Sequence, residues 1–149
     1  MIRVALLSLL ALQQPTQLTT AIRAGTLIDG TGAAPVRNAV IVIQGDRITA
    51  VGANVPVPAG AAVIDLSGAT VLPGFIDAHV HLVSHVIGDG DWQHAGLTEM
   101  PSQLALLGAA HAQQTLEAGF TTVRVVGTGG FSDIALRNAI NAGWIPGPR

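Results

Sequence analysis

The sequence contains neither cysteine nor lysine. Without cysteine, the chain can form no disulfide and no metal site built from thiolates. All seven basic residues are arginine, so this polypeptide cannot complete a mechanism that needs a lysine. Charged residues make up only 11% of the chain, and the net charge is −2. There is therefore no basic patch to neutralise phosphates, and we expect no nucleic-acid partner.

The N-terminal residues have the pattern of an export signal. Arg3 provides a short positive region, and the apolar run from Val4 to Leu12 is interrupted only by Ser8. A bilayer-spanning helix needs about 20 apolar residues, so this run predicts no stable membrane span. We interpret residues 1–17 as a signal peptide and expect a periplasmic or secreted protein. A buried strand and a helix lying on a lipid surface are the alternatives.

The most informative stretch is VLPGFIDAHVHL, residues 71–82, which is typical of a buried strand entered through a Pro-Gly turn. Side chains two apart in a strand share a face, so Asp77, His79 and His81 are predicted to point the same way. Two imidazoles about 6.6 Å apart along a strand can tilt onto one ion. Zinc–nitrogen distances in such a site are about 2.0–2.1 Å. Asp77 would then orient one ring through its other nitrogen. The alternative is a pair of hydrogen-bonded histidines without a metal.

Between the signal and this stretch, short β-branched runs and turn residues predict a small antiparallel sheet over residues 20–72. Two short strands are expected at 20–25 and 26–29. Gly45-Asp46 lies between two such runs and predicts a hairpin with a primed turn. Ser67-Gly68 predicts a second hairpin by the same reasoning.

Beyond His81, the composition up to Met100 predicts a long loop, followed by helices over 102–118 and 133–142. Ser132 is expected to cap the second helix, and His111 in the first is expected to be structural. A strand over 120–126 lies between the two helices. Strand, helix, strand, helix with short turns is typical of parallel α/β folds.

Several segments resemble the amidohydrolase superfamily of metal-dependent hydrolases. LPGFIDAHVH, residues 72–81, is similar to its first barrel strand, in which the His-x-His pair binds a metal. The sheet residues resemble the β-sandwich beside that barrel, above all segments 22–32 and 45–52. LEAGFTTVR, residues 116–124, resembles the second strand of imidazolonepropionase-like and prolidase-like members. Val125 departs from that branch, which usually has Asp there.

The resemblance implies an α/β chain with a β-sandwich part. Residues 18–72 would belong to the sandwich, and residues 73–149 would form the first two strand–helix units of a TIM-like (β/α)8 barrel. That barrel is incomplete, since a full one takes about 250 residues. His79 and His81 would bind a divalent metal, zinc in the first place, with Asp77 supporting them.

The implied activity of the intact relative is hydrolysis of a C–N bond in a small amide or dipeptide substrate. The family's carboxylated lysine, later histidines and late aspartate base have no counterpart here, so we assign no catalytic residue and expect the chain alone to be inactive. One alternative is a non-catalytic fragment or β-sandwich interaction module. Another is a metal-binding protein without turnover, which would need further ligands from His85, Asp89 or His94.

Overall fold

The computed structural model describes residues 18–85, residue 90 and residues 92–149. The chain divides into two compact units, and the boundary along the chain lies between Pro73 and Gly74. The predicted signal peptide, together with Asp89 and Asp91 of the predicted loop, lies outside the described residues. Within the described ranges, no helix is both long enough and apolar enough to cross a membrane.

The first unit is a four-stranded sheet of β1 (Thr19–Leu27), β2 (Val36–Gln44), β3 (Arg47–Gly52) and β4 (Ala62–Val71). The strands lie in the order β3-β2-β1-β4. Strands β1 and β2 and strands β2 and β3 pair antiparallel. The β2–β3 connection turns at Gly45, which has a positive φ of 60°, so the predicted hairpin is confirmed. Buried residues from the two central strands form the core: Ala24, Leu27, Ala39 and Ile41.

The prediction of a wholly antiparallel sheet was wrong, because β4 pairs parallel with β1. The prediction of two short strands before residue 30 was also wrong, since β1 is continuous. The second predicted hairpin is absent as well. Ser67 and Gly68 instead lie inside β4, where residues 67–69 bulge opposite the single residue Gly25. The turn-forming residues therefore produce a bulge rather than a chain reversal.

Two contacts explain why the bulge is tolerated. The Ser67 backbone N–H donates to the Asp65 carboxylate at 2.9 Å, and this bond is the main reason why the pKa of Asp65 is lowered. Opposite it, a side chain on Gly25 would collide with the main-chain carbonyl of Ser67. Only glycine allows β1 to approach the bulge this closely.

The elements of the second unit are β5 (Phe75–Val80), α1 (Trp92–Thr98), α2 (Pro101–Glu117), β6 (Phe120–Val125) and α3 (Ser132–Asn141). Strands β5 and β6 are parallel, with a helical crossover between them. The predicted helices are confirmed with small changes of boundary. The predicted loop over 81–100 was wrong in part, since it contains the short helix α1. Buried apolar side chains form the core: Leu82, Val83, Ala112 and Leu136.

Ser132 does not cap α3, which corrects the prediction. Phe131 occupies the cap position in the left-handed region, with φ 57°. The Ser132 side chain is buried, and its Oγ donates to the Pro101 carbonyl at 2.8 Å. The start of α3 packs against the start of α2, so the Ser132 hydroxyl donates to a carbonyl of α2 instead of capping α3.

The final residue extends the β5–β6 sheet. Arg149 donates its backbone N–H to the Thr121 carbonyl at 2.9 Å and accepts from the Val123 N–H at 2.8 Å. Arg149 thus bonds to the two residues that flank position 122, and this pattern is the one found between parallel strands. The Val126 N–H donates to the Val80 carbonyl of β5, whereas the Thr121 carbonyl and the Val123 N–H bond to Arg149. Arg149 therefore lies on the β6 edge opposite β5.

Candidate metal centre

A bulge interrupts β5 where the predicted site begins. Asp77 pairs with Val123 and Val80 pairs with Val125, so Ala78 and His79 together face a single residue of β6. Bulges bend a strand and change the direction of its side chains, and they are common beside active sites. Simple alternation along the strand therefore does not set the directions of Asp77, His79 and His81.

Asp77 stabilises the main chain at this bulge. Its Oδ1 accepts a 2.9 Å hydrogen bond from the backbone N–H of His79, which the register shift displaces from regular pairing. Asp77 is half-buried, whereas the His79 side chain is exposed. The carboxylate thus fixes the backbone that carries the first histidine. Its predicted contact with an imidazole nitrogen stays a prediction.

The rings of His79 and His81 lie side by side at the carboxyl end of β5. Their centroids are 5.4 Å apart, with an angle of 68° between the ring planes. Both residues are exposed. Neutral imidazole nitrogens are common zinc ligands, and two neighbouring rings suit part of a tetrahedral zinc shell.

The chain immediately after His81 is anchored by α2. The Leu82 carbonyl lies 2.8 Å from Nδ1 of His111, and Val83 is fully buried. This contact agrees with the structural role predicted for His111. The sequence did not indicate the partner, because Leu82 is 29 positions away.

The other candidate ligands do not join the pair among the residues that the structure describes. His85 Nε2 lies 3.0 Å from Glu99 Oε2, and the His94 carbonyl accepts from the Thr98 hydroxyl. No group of three or more His, Cys, Asp or Glu side chains in those ranges is placed to hold a metal. A catalytic zinc usually has three protein ligands, so His79 and His81 fit part of such a site.

Comparison with known families shows which family this chain belongs to. The amidohydrolase family model matches residues 70–149, which include β5, the histidine pair and everything that follows. This chain belongs to the amidohydrolase family. The resemblance seen in the sequence is thereby confirmed, and the histidine pair of this amidohydrolase chain lies within the matched region.

Curated relatives and solved structures agree with that assignment. The chain is 50% identical over 48 residues to imidazolonepropionase of Cutibacterium acnes, covering 32% of this chain and 12% of that protein. It is 43% identical over 67 residues to N-acyl-D-aspartate deacylase of Alcaligenes xylosoxydans xylosoxydans, covering 45% of this chain and 13% of that protein. A solved Xaa-Pro dipeptidase with bound methionine superposes with a TM-score of 0.78 at 38% identity.

The amidohydrolase chain spans only part of these relatives. It covers 32% of the Xaa-Pro dipeptidase chain, which in turn accounts for 88% of this chain. Molinate hydrolase gives a similar result, with a TM-score of 0.75, 31% identity, and coverage of 90% of this chain and 29% of that one. The shared structure therefore includes the sheet unit as well as the β5–α3 region.

Proposed function

We propose that this chain is the N-terminal part of an exported, metal-dependent amidohydrolase that hydrolyses a C–N bond in a small amide or dipeptide. The observation that carries the proposal is the pair of adjacent imidazoles at the carboxyl end of β5, within the segment matched to the family. The names of the relatives support the substrate class, since they include a deacylase and a dipeptidase.

The order of elements supports a barrel as the setting of this site. Strand β5, helix α2, strand β6 and helix α3 follow one another, and Arg149 then pairs parallel on the free edge of β6. In (β/α)8 barrels, consecutive parallel strands are neighbours, and active sites lie at the carboxyl ends of the strands. His79 and His81 occupy that end of β5, so we propose that residues 74–149 begin such a barrel.

His79 and His81 would hold the divalent metal, zinc in the first place, through deprotonated ring nitrogens. The bound ion would supply Lewis-acid polarisation of the substrate carbonyl and a water activated for attack. Asp77 keeps the main chain of His79 in place through its hydrogen bond to the backbone. We assign no general base within the described residues.

One observation favours a second function for this chain taken alone, which is metal binding without turnover. The described residues bring together two imidazoles and no third ligand. Two protein ligands can hold a metal weakly, but they leave a catalytic zinc site incomplete. A zinc titration therefore tests the pair itself, and an activity assay separates binding from catalysis.

We expect weak zinc binding to the wild-type chain and no measurable binding to His79→Ala or His81→Ala, since each substitution removes half of the ligand pair. Isothermal titration calorimetry at neutral pH measures this directly. His94→Ala is the matched control, because it removes another exposed histidine and should leave the affinity unchanged.

Two results would contradict this arrangement. Binding that survives loss of either paired histidine would show that the ion binds elsewhere. Tight binding that is also lost in His94→Ala would show that loop residues complete a site, as in the metal-binding alternative.

Export is a separate part of the proposal and rests on the sequence of residues 1–17. The positive residue Arg3 followed by a short apolar run is the pattern that signal peptidases process. We expect the mature protein to begin between about residues 13 and 20. Mass spectrometry of protein recovered from the periplasm or medium checks this, and an intact Met1 in that fraction would refute it.

A further inference from the structure

We propose that His111 of α2 is a positioning residue for the metal-binding pair, acting through the main chain that follows His81. This inference rests on the proposed function of His79 and His81. It assigns no contact between His111 and the ion. Its basis is the way in which the residues after β5 are held.

His81 lies just outside the β5 ladder, which ends at Val80. The turn that follows is closed by a 3.2 Å bond from the Ser84 N–H to the His81 carbonyl. The next carbonyl, that of Leu82, lies 2.8 Å from Nδ1 of His111. A carbonyl oxygen can only accept, so Nδ1 of His111 carries the proton in this bond. The position of His81 therefore depends on a turn and on α2 as well as on the preceding strand.

Close packing reinforces this hydrogen bond. Gly108 lies three residues before His111, on the same face of α2. A Cβ on Gly108 would come within 2.5 Å of Val83 Cγ1, so only glycine allows α2 to approach the turn this closely. Val83 and Ala112 are both fully buried. The face of α2 that carries Gly108 and His111 thus contacts both residues that follow His81.

The main chain that carries the two proposed ligands is held at His79 and again just after His81. Asp77 holds the backbone of His79, and His111 holds the chain just beyond His81. Two ligands bind an ion more tightly when their geometry exists before binding, because less conformational freedom is lost. Removal of the His111 donor should therefore weaken metal binding, although no ligand is touched.

Four variants and zinc titration calorimetry test this proposal, with the thermal unfolding midpoint measured in parallel. His111→Ala removes the donor, whereas His111→Asn retains an amide nitrogen one bond from Cγ, as in the imidazole. Ser132→Ala is the matched structural control. It removes the buried hydrogen bond from Ser132 of α3 to the carbonyl of Pro101, which belongs to α2 as His111 does. His111→Gln keeps an amide but moves it one bond further out.

We expect His111→Ala to lower zinc affinity about three- to tenfold, somewhat less than the loss of a direct partner to a ligating ring. His111→Asn should restore the affinity, and Ser132→Ala should lower the unfolding midpoint while leaving zinc affinity unchanged. Should His111→Ala fail to fold, a lower affinity in His111→Gln than in His111→Asn supports the same inference.

The positioning role is overturned if His111→Ala binds zinc like wild type, if Ser132→Ala loses as much affinity, or if the Asn and Gln variants bind equally. Those outcomes differ from failure of the proposed function, in which His79→Ala and His81→Ala would leave zinc binding unchanged.

Discussion

Saturated with zinc, this chain is expected to hydrolyse neither Xaa-Pro dipeptides nor N-acyl amino acids above the rate of the buffer blank. A catalytic zinc needs three protein ligands and an open position for water. The described residues bring together His79 and His81, and the sequence contains no lysine that could be carboxylated to bridge a second metal. Among the described residues we assign no proton acceptor for the attacking water, so we expect general base catalysis to be missing as well.

The assay measures release of free amino acid from a panel of dipeptides and N-acyl amino acids, with a full-length Xaa-Pro dipeptidase as the positive control. The double variant His79→Ala/His81→Ala serves as the blank for contaminating activity. Turnover in the wild-type chain that disappears in the double variant would show that residues outside the pair complete the site, and the ligand count given above would be wrong.

Leu136→Ala should destabilise the second unit strongly, by about 2–5 kcal/mol. Leu136 is only 4% exposed and packs in the cluster that contains Val83 and Ala112, so its truncation leaves a cavity between α2 and α3. Proteins are stable by only about 5–15 kcal/mol, and the loss is therefore a large share of the total. Native-state hydrogen exchange of the amides in α2, α3 and β6 measures the change.

Leu106→Ala is the matched control, because it makes the same truncation on α2 at a side chain that is 75% exposed. A change within about 0.5 kcal/mol is expected there. The amides of β1 and β2 provide an internal reference, as they belong to the first unit. Equal protection losses in the two variants would mean that the cluster around Val83 does not stabilise this unit.

Local sequence signals predicted the elements whose hydrogen bonds are local. The Gly45-Asp46 turn specified the β2–β3 hairpin, and apolar periodicity placed α2 and α3 close to their observed bounds. A helix and a two-residue hairpin are closed by residues near in sequence, so the composition of a short window is sufficient for both.

Signals that depend on distant partners were misread. Ser67-Gly68 has turn composition, yet it forms a bulge because β4 continues alongside β1 in parallel. Ser132 has the composition of a helix cap, yet its hydroxyl bonds to Pro101, 31 residues away. A polar side chain or backbone group forms its hydrogen bond with whichever partner the tertiary packing brings near it. The sequence of a single segment does not contain that information.

The same division holds for the candidate site. The sequence by itself determined the candidate ligands: two histidines with one residue between them, in a stretch that the family model matches, and neither cysteine nor lysine to supply other ligands. Only the tertiary structure decided that β5 bulges beside β6, that Asp77 bonds to the backbone of His79, and that His111 holds the Leu82 carbonyl. The bulge and this hydrogen bond arise because β6 pairs with β5, and because α2 packs against the residues that follow β5. Both partners are distant in sequence, and such contacts form only when the chain folds.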